Sequence, residues 1–241
     1  AKKPRGTKRL LGISCSSIWH WLRGKQTGIF AENTSTLEVL VRQINPKQID
    51  FYFDYISHNA YLAWHVLPKL AEQYGYSLCP IPVLFAGFLK ASGQLGPAEI
   101  APKLDWMNRN NLRKAAALGI PLSAPKLHPF NPLLLLRLTA QEMPEEQLHR
   151  VTNCLFRSVW VDALDPNDAP AIGAYLEHQR VDSASLIAGA STDAAKARVR
   201  DNTDEALARG GFGVPTMIVG NEVFWGYDDL PYLEGLLAGR D

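Results

Sequence analysis

Cysteine is scarce in this chain, and its spacing suits neither a redox pair nor a metal site. The 241 residues include three cysteines, Cys15, Cys79 and Cys154, with no Cys-x-x-Cys motif and no zinc-type spacing. An odd number of separated cysteines favours a reducing compartment, so we expect a cytoplasmic protein without a bound metal. Each cysteine is expected to pack as a small apolar side chain.

Strong charge of one sign and long apolar runs are also missing. The formal net charge of +1 provides no field that would favour nucleic acid as a partner. No apolar run is long enough to span a membrane, so we expect no integral membrane segment. The chain is 46% hydrophobic and 20% charged, which is typical of one large globular domain or two small ones.

Residues 1–47 differ from the rest, and we predict an N-terminal helical extension there. Basic residues at the start are followed by apolar residues and by two tryptophans, Trp19 and Trp21. An amphipathic helix on an anionic membrane and a degenerate targeting segment both fit this pattern. We favour a helix that packs its tryptophans on the main domain or on a partner chain, because short basic stretches are common at solvated termini.

The most informative stretch of the sequence is residues 49–64. Hydrophobic residues alternate with polar ones up to Phe53, which predicts a strand, and helical spacing then continues to Tyr74-Gly75. Ser57 therefore lies where a strand ends and a helix begins. The unpaired N–H groups and the dipole at that point favour an anion by roughly 0.3–1 kcal/mol. Serine is also a preferred N-cap, so this stretch alone leaves a purely structural role open.

The order of the remaining elements predicts an α/β fold. A second strand lies between residues 76 and 84, and its two prolines place it at a sheet edge or at a strand end. A crossover helix between the first two strands makes them parallel. Residues 97–200 are mostly helical, and Gly220-Asn221 then forms the turn of a hairpin that precedes a final helix. We therefore predict one four-stranded mixed sheet from residues 48–96 and 201–241, with residues 97–200 as an all-helical insertion.

Two motifs, one near each end of this fold, resemble a known family. The motifs are Asp50-Phe51-Tyr52-Phe53-Asp54-x-x-Ser57, followed by Tyr61-Leu62-Ala63, and Gly213-Val214-Pro215-Thr216, followed by Trp225-Gly226-x-Asp228. Together they are similar to the glutathione-using branch of the DsbA-like group over residues 48 to 239. That branch holds kappa-class glutathione transferases and 2-hydroxychromene-2-carboxylate isomerases. The resemblance implies a thioredoxin-like sheet split by a helical insertion, and it implies a homodimer.

The resemblance implies glutathione as the cofactor and places its sulfur at Ser57. Ser57 stands where the redox members carry their first active-site cysteine, so its hydroxyl is expected to hold the sulfur as the catalytic group. Val214-Pro215 resembles the cis-proline loop, which leaves the Val214 backbone to pair with the cysteinyl backbone of glutathione like an added strand. Ala60 stands at the second redox position, so we do not expect a thiol–disulfide oxidoreductase.

The ends of glutathione are assigned through the same resemblance. Asp228 matches the aspartate expected to bind the γ-glutamyl ammonium, and nearby helix N–H groups, including that of Tyr227, suit the carboxylate. Lys103 stands at the position of a lysine that pairs with the glycyl carboxylate. Gln94 stands where the transferases have an asparagine, and its amide has the same chemistry with a longer reach.

The sequence also departs from the family where the second substrate would bind. His58 follows Ser57 in place of the usual proline and adds a group that titrates near neutrality. It could assist proton transfer, although we expect a solvated side chain in the first helical turn. Trp64 and Trp106 are candidate aromatic walls for a substrate ring, with core packing as the alternative for each. The polar run Asn108 to Asn111 could meet a substrate carboxylate, or it could form an exposed helix face.

A serine that holds a thiolate suits reversible addition chemistry, because it cannot form a mixed disulfide. A helix N-terminus and a hydroxyl donor lower the pKa of the bound thiol. The resemblance implies that the thiolate adds to a conjugated double bond of a small aromatic substrate, which permits rotation before elimination. We expect an isomerase of the 2-hydroxychromene-2-carboxylate type. The alternatives are a kappa-like glutathione transferase acting on other electrophiles and a non-catalytic thioredoxin-fold adaptor that binds an extended peptide.

Overall fold

The computed structural model describes residues 47–240, so the predicted N-terminal extension lies outside the described residues except for Lys47. Between residues 47 and 240, no helix is both long and apolar enough to cross a membrane. Short 3₁₀ turns at Pro97–Glu99 and Tyr227–Asp229 precede the third and the ninth helix. The strands and helices, in chain order, are β1 (Gln48–Phe53), α1 (His58–Tyr74), β2 (Ser77–Pro82), α2 (Phe85–Ser92), α3 (Ala101–Leu118), α4 (Leu133–Thr139), α5 (Glu145–Trp160), α6 (Ala169–His178), α7 (Ser183–Ala190), α8 (Asp193–Ala208), β3 (Thr216–Val219), β4 (Glu222–Trp225) and α9 (Leu230–Leu237).

The sheet has four strands in the order β2-β1-β3-β4, which confirms the predicted mixed sheet. β1 runs parallel to β2, with Gln48 opposite Ser77, and antiparallel to β3, with Phe51 opposite Met217. β3 and β4 form the predicted hairpin. The strand β2 lies at a sheet edge. Pro80 and Pro82 have no N–H to donate, and an edge strand tolerates this because one of its sides has no partner strand.

β1 is buried on both of its faces because helices cover both sides of the sheet. The apolar side chains of Ile49, Phe51 and Phe53 belong to the main core, together with residues of α1, α5 and α9. On the opposite face Tyr52 packs in a second cluster with residues of α2 and α8. The polar side chain of Asp50 is also buried there, and its carboxylate accepts a hydrogen bond from Arg209 at 2.6 Å.

The helical insertion shares the main core with the sheet. Phe156 of α5 is fully buried, and its ring lies 5.2 Å from Phe53, 4.7 Å from Tyr55 and 6.2 Å from Trp64, measured between centroids. One aromatic cluster thus joins β1, α1 and the insertion. Because a single apolar core connects them, we expect the two parts of the chain to unfold together.

Replacing Phe156 tests this shared core. Phe156→Ala removes ring contacts to both β1 and α1, so we expect a loss of about 3–5 kcal/mol in the free energy of unfolding. Urea denaturation followed by tryptophan fluorescence and by circular dichroism measures the loss. The two signals should move to lower urea together. The control Tyr232→Ala, at a position that is 69% exposed, should change the free energy by less than about 0.5 kcal/mol. Separate transitions for the two signals would contradict a shared core.

Candidate active site

Ser57 is the N-cap of α1 and ends the turn that follows β1. Its backbone is extended, with φ −95° and ψ 113°, and its Oγ accepts a hydrogen bond from the N–H of Ala60 at 3.2 Å. The side chain therefore satisfies one N–H of the first turn and still has its own O–H to donate. α1 has 17 residues, so this hydroxyl lies at the positive end of a long helix dipole.

The loop before β3 lies against this hydroxyl. The Val214–Pro215 peptide bond is cis, as the resemblance implied, and both residues are buried. The Ser57 Oγ lies 3.5 Å from the Val214 carbonyl oxygen, which is the outer limit of a hydrogen bond. The fold thus places Ser57, which follows β1, beside Val214–Pro215, which precede β3 more than 150 residues later.

The turn that carries Ser57 is held by the buried carboxylate of Asp54. One oxygen accepts from the N–H of Ile56 at 3.0 Å, and the other accepts from the N–H of Phe85 at 2.8 Å. The backbone carbonyl of Asp54 also accepts from the N–H of Ser57 at 3.0 Å. Burial raises the pKa of Asp54 to about 7, against the opposing effect of the two backbone hydrogen bonds.

Two side chains of the helical insertion donate hydrogen bonds to other backbone carbonyl groups of this turn. The indole Nε1 of Trp160 donates to the carbonyl of Tyr55 at 2.8 Å. The Nε2 of His128 lies 3.0 Å from the carbonyl of Ile56, and since a carbonyl only accepts, this nitrogen carries the proton. The backbone before Ser57 is therefore fixed by side chains more than 70 residues away in sequence.

His58 is buried, so the prediction of a solvated side chain is wrong. The residue is 7% exposed, its ring stacks on Trp160 with 5.0 Å between centroids, and the ring of His128 lies 5.3 Å away. Burial first, and His128 second, lower the pKa of His58 to about 3. The expectation that it titrates near neutrality is therefore also wrong, and the ring is uncharged at neutral pH.

Asp228 forms an ion pair with a lysine that the sequence analysis missed. The Nζ of Lys114 lies 2.7 Å from the Asp228 Oδ2 and 5.1 Å from the centre of the Tyr227 ring. The same Nζ lies 3.5 Å from the Oδ1 of Asn59, two residues after Ser57. Lys114 thus connects Asp228 to the first turn of α1. Burial and then the charge of Asp228 raise the pKa of Tyr227.

Lys114 lies on a face of α3 that the sequence only partly indicated. The predicted exposed polar run is wrong for Asn111, which is 1% exposed, whereas Asn108 is exposed and hydrogen-bonds to His58. Positions 108, 111 and 114 follow helical spacing on one side of α3, and α3 contacts α1. This spacing is the feature of the sequence that could have indicated Lys114. The contact between α3 and α1 is what shows that this side of α3 faces the first turn of α1.

The other predicted residues differ in their availability to a ligand. Gln94 and Lys103 are exposed, and neither makes a side-chain hydrogen bond or an ion pair within residues 47–240. Trp106, one turn after Lys103 on α3, is 58% exposed. Trp64 is 4% exposed and stacks on Phe51, so it packs in the core and is not available as a substrate wall.

This arrangement, a four-stranded mixed sheet with a helix N-terminus facing a cis-proline loop, is that of the thioredoxin-like proteins. The family model for a DSBA-like thioredoxin domain matches residues 48–238. The 2-hydroxychromene-2-carboxylate isomerase of Pseudomonas sp. (strain C18) is 33% identical over 193 residues, which cover 79% of this chain and 90% of that protein. Glutathione S-transferase kappa 1 of Rattus norvegicus is 25% identical over 184 residues, 72% of this chain and 81% of the rat protein.

A solved structure of a 2-hydroxychromene-2-carboxylate isomerase agrees with this likeness. It superposes with a TM-score of 0.73 at 32% identity, covering 80% of this chain and 95% of that one. The chain therefore belongs to the DsbA-like thioredoxin-domain family, in the branch of the 2-hydroxychromene-2-carboxylate isomerases and kappa-class glutathione transferases.

The raised pKa of Asp54 predicts a pH-dependent stability. An unfolded aspartate has a pKa of about 3.9, whereas the pKa of Asp54 in the folded chain is about 7, so the folded state binds more protons between these values. The contribution of Asp54 to the free energy of unfolding should therefore be fully present below pH 4. It should be lost as the pH rises through 7, at ~1.4 kcal/mol per unit of pKa difference.

Urea denaturation between pH 4.5 and 7.5 measures this contribution against Asp54→Asn. The variant should lose an acceptor for one backbone N–H and be less stable at low pH by about 1–3 kcal/mol. Its stability should also decline less steeply with rising pH than that of the wild type. Asp204→Asn, at an exposed position, should keep the wild-type slope. Equal slopes in Asp54→Asn and the wild type would contradict the buried, protonatable carboxyl.

Proposed function

We propose that this protein is a glutathione-dependent isomerase that acts on a small conjugated aromatic substrate of the 2-hydroxychromene-2-carboxylate type. The observation that carries the proposal is the Ser57 hydroxyl at the N-terminus of α1, 3.5 Å from the carbonyl of Val214 beside the cis-proline loop. A hydroxyl at this point can hold a thiolate but cannot be oxidised with it. The isomerases among the curated relatives match at 31–33% identity over 90% or more of their own length.

The residues of the site fit glutathione. The Ser57 O–H makes only a long contact with the Val214 carbonyl, so it can turn to a thiolate, which is the stronger acceptor. Asp228 presents a carboxylate whose side chain is 73% exposed. Lys103 and Gln94 are exposed and without side-chain partners in the described part of the chain, so both are available to glutathione, with Lys103 as the expected partner of the glycyl carboxylate.

The chain itself supplies anion stabilisation and an ordered pocket wall. When bound, glutathione supplies a thiolate that adds reversibly to a conjugated double bond. Ser57 donates a hydrogen bond at the sulfur position, and the first turn of α1 adds its dipole. The uncharged ring of His58, stacked on the buried Trp160, excludes water from one side of that turn. None of these groups is oxidised or reduced, which suits an isomerisation.

A transferase would use the same glutathione half-site, so the assay must separate the two activities. An isomerase converts the substrate with no loss of free thiol, whereas a transferase consumes one thiol for each product molecule. We expect the full chain to catalyse conversion of 2-hydroxychromene-2-carboxylate only when glutathione is present, with free thiol constant. Thiol consumption with general electrophiles and no isomerisation would support the kappa-like alternative. Glutathione binding without either activity would support an adaptor.

Ser57→Ala tests the role of the hydroxyl. Loss of one donor to the sulfur should raise the pKa of the bound thiol by about one unit, equivalent to ~1.4 kcal/mol, and slow isomerisation at neutral pH. Ultraviolet absorption of the thiolate, titrated with glutathione bound to each variant, gives the pKa directly. Ser185→Ala, an exposed serine at the start of α7, should leave both quantities unchanged. The same thiol pKa in Ser57→Ala and the wild type would exclude the role given to Ser57.

Asp228→Asn tests the position of the γ-glutamyl ammonium. The change keeps the size of the side chain and removes its charge, so glutathione should bind about tenfold more weakly or worse by calorimetry. An analogue of glutathione without the α-amino group should lose no affinity in the variant. Asp204→Asn removes a charge from an exposed part of α8 and should not change either affinity. Undiminished glutathione affinity in Asp228→Asn would show that the ammonium binds elsewhere.

A further inference from the structure

Lys114 and Asp228 form an ion pair, and the proposed function gives a role to Asp228 alone, as the partner of the γ-glutamyl ammonium. The positive charge of Lys114 has no assigned role. Lys114 lies in the fourth turn of α3, and its side chain is only 13% exposed, whereas that of Asp228 is 73% exposed. A charged group so far withdrawn from water requires strong partners. The carboxylate is its one charged partner within residues 47–240.

Both members of the pair have bonding capacity left for a ligand. An ammonium has three N–H donors, and within the described residues Lys114 has polar partners at Asp228, 2.7 Å away, and at Asn59, 3.5 Å away. The bond to Asn59 is at the limit of hydrogen-bond length. Asp228 uses Oδ2 for Lys114, which leaves Oδ1 and most of the exposed carboxylate surface.

We propose that Lys114 is a specificity-determining residue that binds the α-carboxylate of the γ-glutamyl group, while Asp228 binds its α-ammonium. The proposal rests on the proposed function and extends it to a residue of α3. The ammonium and the carboxylate of a free amino acid are joined through one carbon atom. A fixed pair of opposite charges 2.7 Å apart matches such a zwitterion, because each ligand charge then meets its opposite.

The position of Lys114 suits this role. Its Nζ lies over the face of Tyr227, whose backbone N–H belongs to the turn before α9, so one carboxylate can meet both groups. Without Lys114, the α-carboxylate would lie beside the carboxylate of Asp228 and be repelled. The pair therefore distinguishes glutathione from thiols that lack a free α-amino acid, such as Cys-Gly or an N-acylated cysteine peptide.

Three ligands separate the two charges in the full-length protein. They are glutathione, glutaryl-Cys-Gly, which lacks the α-amino group, and 4-aminobutanoyl-Cys-Gly, which lacks the α-carboxylate. Calorimetry on the wild type should show glutathione bound at least tenfold more tightly than 4-aminobutanoyl-Cys-Gly, the effect of about one charge-assisted hydrogen bond. Equal affinities of the wild type for these two ligands would overturn the proposal without any variant.

The variant Lys114→Gln should lose this discrimination selectively. The preference for glutathione over 4-aminobutanoyl-Cys-Gly should narrow by about tenfold, and the preference over glutaryl-Cys-Gly should persist. Lys114→Arg should restore the first preference. The control Arg113→Gln removes one positive charge from the exposed residue that precedes Lys114 on α3, and it should leave both preferences unchanged. If Lys114→Gln does not fold, Lys114→Met is used in its place, because methionine keeps an apolar side chain against Tyr227.

A purely structural role for Lys114 gives a different result. The affinities of all three ligands would then fall together in Lys114→Gln, with both preferences intact, and the proposal would be wrong while Ser57 and Asp228 kept their roles. A wild type that binds none of the three ligands would instead reject glutathione as the cofactor, and the inference about Lys114 would fail with it.

Discussion

A buried carboxylate, that of Asp54, fixes the turn on which the site depends. It accepts the N–H groups of Ile56 and Phe85, so it ties the end of β1 to the start of α2. The same residue accepts the N–H of Ser57 through its main chain. These bonds fix the backbone that sets the direction of the Ser57 hydroxyl at the N-terminus of α1, and hydrogen bonds depend on direction. The cost is a carboxyl group whose pKa is raised to about 7 by its burial.

The helical insertion contributes to the site from outside the thioredoxin-like sheet. Trp160, at the end of α5, hydrogen-bonds the carbonyl of Tyr55, and its ring also stacks on His58. His128 pairs the carbonyl of Ile56. These contacts satisfy carbonyls that a buried turn could not leave unpaired, and they replace the rigidity that a proline after Ser57 would supply. The uncharged His58 fits this apolar environment, since a charged ring there would lack a counter-charge.

The electrostatics of the site divide into two regions. Beside Ser57 lie its own hydroxyl, the first-turn N–H groups of α1 and the uncharged His58 ring, and the helix dipole favours an anion there. Around Asp228 and Lys114 the groups are charged and paired, which suits a zwitterion without adding net charge to the site. A ligand that carries both a thiol and a free α-amino acid matches both regions at once. This complementarity is the physical reason for preferring a glutathione enzyme over an adaptor for extended peptides.

The sequence alone determined the strands, the mixed sheet and the junction at Ser57, because hydrophobic periodicity and turn residues act locally, whereas the prolines of β2 left open a sheet edge or a strand end. It also indicated the family through motifs at both ends of the fold. The burial of His58, the core position of Trp64 and the pairing of Lys114 with Asp228 were decided only by the tertiary structure. Each depends on residues far away in sequence, and no local pattern reports which helix covers a given side chain.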